Sequence, residues 1–165
     1  MLGLSLSAFL AAPARAELES ELIFPFETWP NHGSCIVEAA NGDLIVCWFH
    51  GSGERREDDV LILGAKKEQS TGQWTEPFVM ADAPGFPDTN CCMIIDPEER
   101  LWLFWPTVQA NLWESALMKY KVSSDYLRPG QAPGWDLQEV LHIKPGAEFP
   151  GRVREKTAEY LSHKA

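Results

Sequence analysis

The sequence predicts an all-β fold: about two four-stranded antiparallel blades of a β-propeller, followed by a short C-terminal helix. Three observations carry that expectation. Leu44 to Phe49 is apolar on both alternating faces, with Leu44, Val46 and Trp48 on one and Ile45, Cys47 and Phe49 on the other. Such a strand has to be covered above and below. Asn41-Gly42 separates this run from Cys35 to Ala39, and both turn residues tolerate the positive φ of a tight hairpin. The chain also repeats itself at an offset of 57 residues, pairing Pro30 with Pro87, Cys35-Ile36-Val37 with Cys92-Met93-Ile94, and Leu44-Ile45-Val46-Cys47-Trp48 with Leu101-Trp102-Leu103-Phe104-Trp105. A repeat of roughly 50 residues made of four antiparallel strands describes a blade whose apolar faces are covered by neighbouring blades. An eight-stranded β-sandwich is the alternative, and the repeat favours blades because it includes the loops between strands.

Taken in order, the chain opens with an apolar run, Leu2 to Ala12, and then Ala14-Arg15-Ala16, which fits the small-x-small rule of a secretory cleavage site before Glu17. Residues 1–16 are therefore expected to be a signal peptide and the protein to be secreted or periplasmic, although no Lys or Arg follows Met1. A buried N-terminal strand or helix is the alternative, and the run is too short to span a membrane as a helix. A two-residue turn at Asn41-Gly42 pairs Ala40 with Asp43, which sets Cys35 opposite Trp48 and Cys47 on the other face. A third strand from Val60 to Lys66 and a short run from Phe78 to Met80 complete the first blade, over about residues 24–82. The second, over about 83–145, begins with the proline-rich loop Ala83 to Asn90 and repeats the hairpin. It adds a strand from Ser115 to Val122 and another near Leu137 to His142, and Trp74 and Trp135 hold the same place in each unit. Residues 148–165 place Val153, Ala158, Tyr160 and Leu161 among charged residues, which predicts a short amphipathic helix.

Composition excludes several classes of function. Without residues 1–16 the chain keeps 13 bases, one fewer than its full 14, against 24 acids, so neither a nucleic acid nor an anionic membrane is an expected partner. Its four cysteines show no CxxC or Cys/His spacing for zinc, and no metal or cofactor is expected. In the predicted register Cys35 and Cys47 cannot bond; only a shifted register would allow it, and Cys91-Cys92 is a strained vicinal pair. Buried free thiols are expected.

Several motifs occur in a fixed order: Asn-Gly-Asp-Leu from Asn41, Trp-Phe-x-Gly-x-Gly-Glu-Arg from Trp48, Asp-Asp-Val-x-Ile from Asp58, Trp-Thr-x-Pro-Phe from Trp74, Pro-Gly-x-Pro-Asp-x-Asn from Pro84 and Arg-Leu-Trp-Leu-Phe-Trp-Pro from Arg100. Over about residues 24–145 the chain resembles the N-terminal part of the bacterial sialidase (neuraminidase) family with its BNR repeats. The resemblance implies two blades of a six-bladed propeller and the chemistry of a retaining exo-glycosidase. That chemistry uses an arginine triad for the sialic acid carboxylate, a Tyr nucleophile supported by a Glu, and an Asp acid/base. It places Asp58 or Asp59 where the family's acid/base stands, with Glu54, Arg55, His32 and Asn90 as substrate-binding candidates. Three departures stand out. His32-Gly33-Ser34 replaces the Arg-Ile-Pro that supplies the first triad arginine; the family's Asp-box turn survives as Ser70 to Trp74 without its Asp; and the nucleophile belongs to later blades.

An acid needs a raised pKa, which Glu57, Asp58 and Asp59 favour as like charges and Arg55 and Arg56 oppose. The plainer reading of this loop is a solvated acidic turn with weak ion pairs. His32 and His50 bracket the hairpin and suit structural hydrogen bonds equally well. Trp48, Trp102 and Trp105 read as core. Two functions of different class remain: the N-terminal portion of a sialidase-like glycoside hydrolase, inactive alone, or a non-catalytic propeller fragment that binds a glycan, such as a sialic-acid-like sugar, or other blades. Self-association through uncovered blade faces is expected in either case.

Overall fold

The computed structural model describes Leu18 and residues 20–164, so the predicted signal peptide, residues 1–16, lies outside the described residues. The predicted all-β class holds: two antiparallel sheets pack face to face and one helix follows them. The first sheet runs β1 (Asn31–Glu38), β2 (Leu44–His50) and β3 (Leu61–Glu68). Its fourth position is shared by β4 (Gln73–Trp74) and β5 (Phe78–Ala81), which pair with opposite ends of β3. The break falls at Thr75-Glu76-Pro77, where a proline cannot donate to the ladder. The second sheet is the plain meander β6 (Cys92–Ile95), β7 (Leu101–Val108), β8 (Ala116–Ser123) and β9 (Leu137–Val140).

The repeat extends to individual hydrogen bonds. Asn31 Oδ1 accepts the Trp48 indole N–H at 2.8 Å, and 57 residues on Asp88 Oδ1 accepts that of Trp105 at 2.9 Å. Gly33 and Asn90 hold the same left-handed position, with φ of 60° and 44°, near the start of the first strand of each sheet. The turns match too. Ala39 N donates to Asp43 O and Gly42 N to Ala39 O, as Asp96 N does to Arg100 O and Glu99 N to Asp96 O. Glu99 thus stands at φ 59° where the first blade has Gly42 at 85°, a position that costs a side chain roughly 1 kcal/mol. Asp96 holds the second turn with bonds to the Arg100 and Glu98 backbone N–H groups, the Trp102 indole and the Arg100 guanidinium. Desolvation pushes its carboxyl up, but the donors from Arg100 and Trp102 outweigh that and hold it at about 2.

These turns correct the expected register. The first loop has three residues, Ala40 to Gly42, and only Gly42 needs positive φ; Asn41 instead accepts the Asp43 N–H through its side chain at 3.1 Å. Pairing therefore shifts by one, Glu38 stands opposite Leu44, and Cys35 stands opposite Cys47 rather than Trp48.

The core is the seam between the sheets. Ile45, Cys47, Phe49, Ile62 and Met80 of the first meet Met93, Leu101, Leu103 and Trp105 of the second. Two lysines cross it: the Lys66 ammonium donates to the Arg128 carbonyl, and Lys121 Nζ donates to the Met80 carbonyl at 2.9 Å. The outer face of the first sheet was expected to be open, but Ile23 and Phe24 cover part of it, Phe24 stacking on Trp48 at 5.0 Å. The outer face of the second sheet carries Trp102, Phe104 and Tyr120 in mutual contact, with Ile94, Met118 and Leu137 exposed beside them. Helix α1 (Phe149–Ser162) buries no residue, so it shields neither face.

Candidate functional site

In a meander the start of the first strand, the end of the second and the start of the third lie together. The starts of β1 and β6, the β2–β3 loop (51–60) and the β7–β8 loop (109–115) therefore form one rim. The sequence builds this rim from the inside. Gly51 is buried against Val60, closing the loop's base so tightly that a Cβ there would lie 2.7 Å from Val60 Cα. Asp88, wholly buried, anchors the neighbouring 82–90 segment: its carboxylate accepts Trp105 Nε1, the Thr107 hydroxyl and Ala83 N, while its own N–H donates to Val60 O. Desolvation pushes its carboxyl above the ordinary range, against the opposing pull of those donors.

His32 Nδ1 lies 3.3 Å from Glu54 Oε1, an ion pair when the imidazole is protonated, and its ring leans on Phe49 at 5.5 Å. Asn90 sits against Gly33, next to His32; a Cβ on Gly33 would meet Asn90 Oδ1 at 3.6 Å. Arg55 lies with its guanidinium 5.6 Å from the centre of the Trp113 ring, and its carbonyl accepts the Asn111 side-chain amide at 2.9 Å. Among the described residues Arg55 forms no ion pair, and its Nε is buried with no partner. Asp59 Oδ1 accepts both the backbone N–H and the hydroxyl of Ser52, at 3.1 and 3.0 Å, which commits one oxygen to closing the loop. Asp58 is exposed on the same loop. His50 turns away from the rim surface into a structural nest, 3.1 Å from Asn31 Oδ1 and stacked on Trp29 at 5.6 Å.

The rim thus gathers His32, Glu54, Arg55, Asn90, Asp58 and Asp59 at one end of the blades, and adds Asn111 and Trp113 from the β7–β8 loop. Sequence reading passed over those two. The repeat itself held the signal, since an offset of 57 carries the charged loop that starts at Gly51 onto the segment that starts at Val108. Each of the three tyrosines lies elsewhere: Tyr126 is buried at the opposite end beside Asp96 and Glu99, Tyr120 is on the outer face with Trp102, and Tyr160 is in α1. Among the described residues no group of His, Cys, Asp and Glu is arranged to hold a metal ion, and no helix is long and apolar enough to cross a membrane.

Two sheets built to one pattern, packed through equivalent strands and carrying their variable loops on a common rim, define blades of a propeller-type repeat domain. The chain belongs to the BNR repeat-like domain family, whose family model matches residues 42–163. No curated protein matches it.

Proposed function

We propose that this chain is the N-terminal portion of a sialidase-like propeller whose rim binds an acidic sugar without cleaving it. What carries the reading is Arg55: a cation laid over an aromatic ring and, among the described residues, held by no ion pair, in a chain with 24 acidic residues. A sugar carboxylate pairs with the outer end of the guanidinium, and Trp113 offers an apolar platform. Asn90 and Asn111 add amide groups suited to hydroxyls, and His32 adds a second cation when protonated. Hydrolysis by the family's route needs a tyrosine that belongs to later blades, and the three tyrosines of this chain lie away from the rim, so turnover is not expected of this portion taken alone. The test is titration with sialyllactose and with lactose, read from the Trp113 indole resonance, alongside a fluorogenic sialoside assay. Saturable binding of the acidic sugar without turnover is expected. Arg55→Ala should weaken it by roughly tenfold, the worth of a charge-assisted hydrogen bond. Equal binding of both sugars, or turnover, overturns the reading.

A second reading has its own support, the outer face of the second blade. Trp102 and Phe104 occupy the positions of Ile45 and Cys47, which the second blade covers in the seam, so this face is shaped to receive another blade. The chain is therefore expected to self-associate through Trp102, Phe104 and Tyr120. Light scattering should report species above the monomer mass, and Phe104→Lys should return them to monomer. A wild-type monomer at all concentrations would end this reading.

A further inference from the structure

We propose that copies of this chain join head to tail, the Trp102, Phe104 and Tyr120 face of one copy seating on the Ile36, Val46 and Trp48 face of the next and displacing Ile23 and Phe24 from it. The inference rests on the self-association read from the first of these faces, and adds the surface that receives it. The seam inside the chain is the template. There Ile45 and Cys47, on one face of the first blade, meet Met93, Leu103 and Trp105 of the second. An offset of 57 carries the donating pair onto Trp102 and Phe104, and taken backwards it carries the receiving set onto Ile36, Val46 and Trp48. The two outer faces are thus the two halves of a contact that the chain already makes once.

Strand register shows why the halves fit. Gly64 pairs with Cys47 as Tyr120 pairs with Phe104, and Ala65 pairs with Val46 as Lys121 pairs with Leu103. The donating face is bulkier than its template, with Phe104 for Cys47 and Tyr120 for Gly64. The receiving face is smaller to match, with Val46 for Leu103 and Ala65 for Lys121. Large side chains on one half therefore meet space on the other, as packing at interior density requires. The present cover of the receiving face is a poor one. Phe24 stacks on Trp48 at 5.0 Å, Ile23 packs beside it and Glu21 pairs with Lys67. Between this cover and the sheet lies a cavity of about 200 Å³ walled by Ile23, Phe24, Val46 and Trp48. Ile36 stays 57% exposed, whereas its counterpart Met93 is 4% exposed in the seam. Two apolar side chains yield to a sheet face that buries three aromatic ones. A contact between two different patches is heterologous, so its repetition gives a ring or an open chain.

The experiment mixes two full-chain variants, each with one face spoiled: Ile36→Lys on the receiving side and Phe104→Lys on the donating side. Sedimentation velocity should show each alone as a monomer and their equimolar mixture as a dimer and nothing larger, because only one good pair of faces remains. Phe24→Ala, which loosens the cover, should lower the concentration for half-association by about fivefold. Ile36→Lys associating as the wild type does, or a mixture that stays monomeric, would overturn the head-to-tail contact while self-association stands; a wild-type monomer would end both. Unchanged association of Phe24→Ala would overturn the displacement. Should a lysine variant fail to fold, Ile36→Cys decides. Cys92, exposed on the donating face, is the counterpart of Cys35, whose sulfur accepts the Met93 N–H at 3.2 Å. A short bismaleimide should therefore link Cys92 of one copy to residue 36 of another, and links from Cys92 to Cys92 alone would mean that like faces meet.

Discussion

Asp88→Ala is expected to cost about 3 kcal/mol, roughly a 10 °C fall in Tm, because it strips acceptors from several buried donors at once. Trp105 Nε1, the Thr107 hydroxyl and Ala83 N all point at this carboxylate, and no water reaches it, since Asp88 is 0% exposed. Asn31→Ala removes the equivalent acceptor of the first blade, but Asn31 is only half-buried, so its Trp48 partner can turn to solvent and about 1 kcal/mol is expected. Burial raises the Asp88 pKa, so the folded chain binds this proton more tightly than the unfolded chain does. Stability from this group is thus fully present below the ordinary value of 3.8 and declines as pH rises through the raised pKa. The wild-type advantage over Asp88→Ala should be largest in acid and shrink towards neutrality. Asp96 acts with the opposite sign, its contribution present above 3.8 and lost as pH falls towards about 2. It is common to both proteins and cancels in the difference. Thermal melts of both proteins across that range measure it, and a difference that grows with pH would contradict the assignment.

Gly51→Ala should cost about 2–3 kcal/mol and weaken sugar binding without touching a single rim side chain. The added methyl would lie 2.7 Å from Val60 Cα and 2.8 Å from Val60 Cγ2, and a backbone atom fixed in the core cannot move aside. Val60 also accepts the Asp88 N–H, so the strain passes both to the loop that carries Glu54 and Arg55 and to the segment that ends at Asn90. Gly53→Ala is the control. The three atoms nearest its Cβ would all belong to the Glu57 side chain, which is exposed and free to rotate. Urea unfolding with sialyllactose titration of both variants separates the two. Equal behaviour would mean that the base of the loop does not position Arg55.

The sequence by itself determined the strands and their repetition, because two-sided apolar runs such as Leu44 to Phe49 and Leu101 to Trp105 are stable only inside a stack of sheets. It also placed the charged loop, since Gly51 to Asp59 interrupts an apolar pattern with residues that no core admits. Tertiary structure decided the rest. Whether Asn41-Gly42 closed a two- or three-residue loop turned on where one side chain found its hydrogen bond, and that choice moved Cys35 from Trp48 to Cys47. The partial cover over Trp48 depends on Ile23 and Phe24, which carry no periodicity that marks them as packed. Trp113 reaches Arg55 across 58 residues of chain, and a contact between loops of two blades leaves no local pattern to read. Periodicity records which face of a strand avoids water; which loop side chains meet depends on how the sheets stack, and that is settled only when the seam is packed.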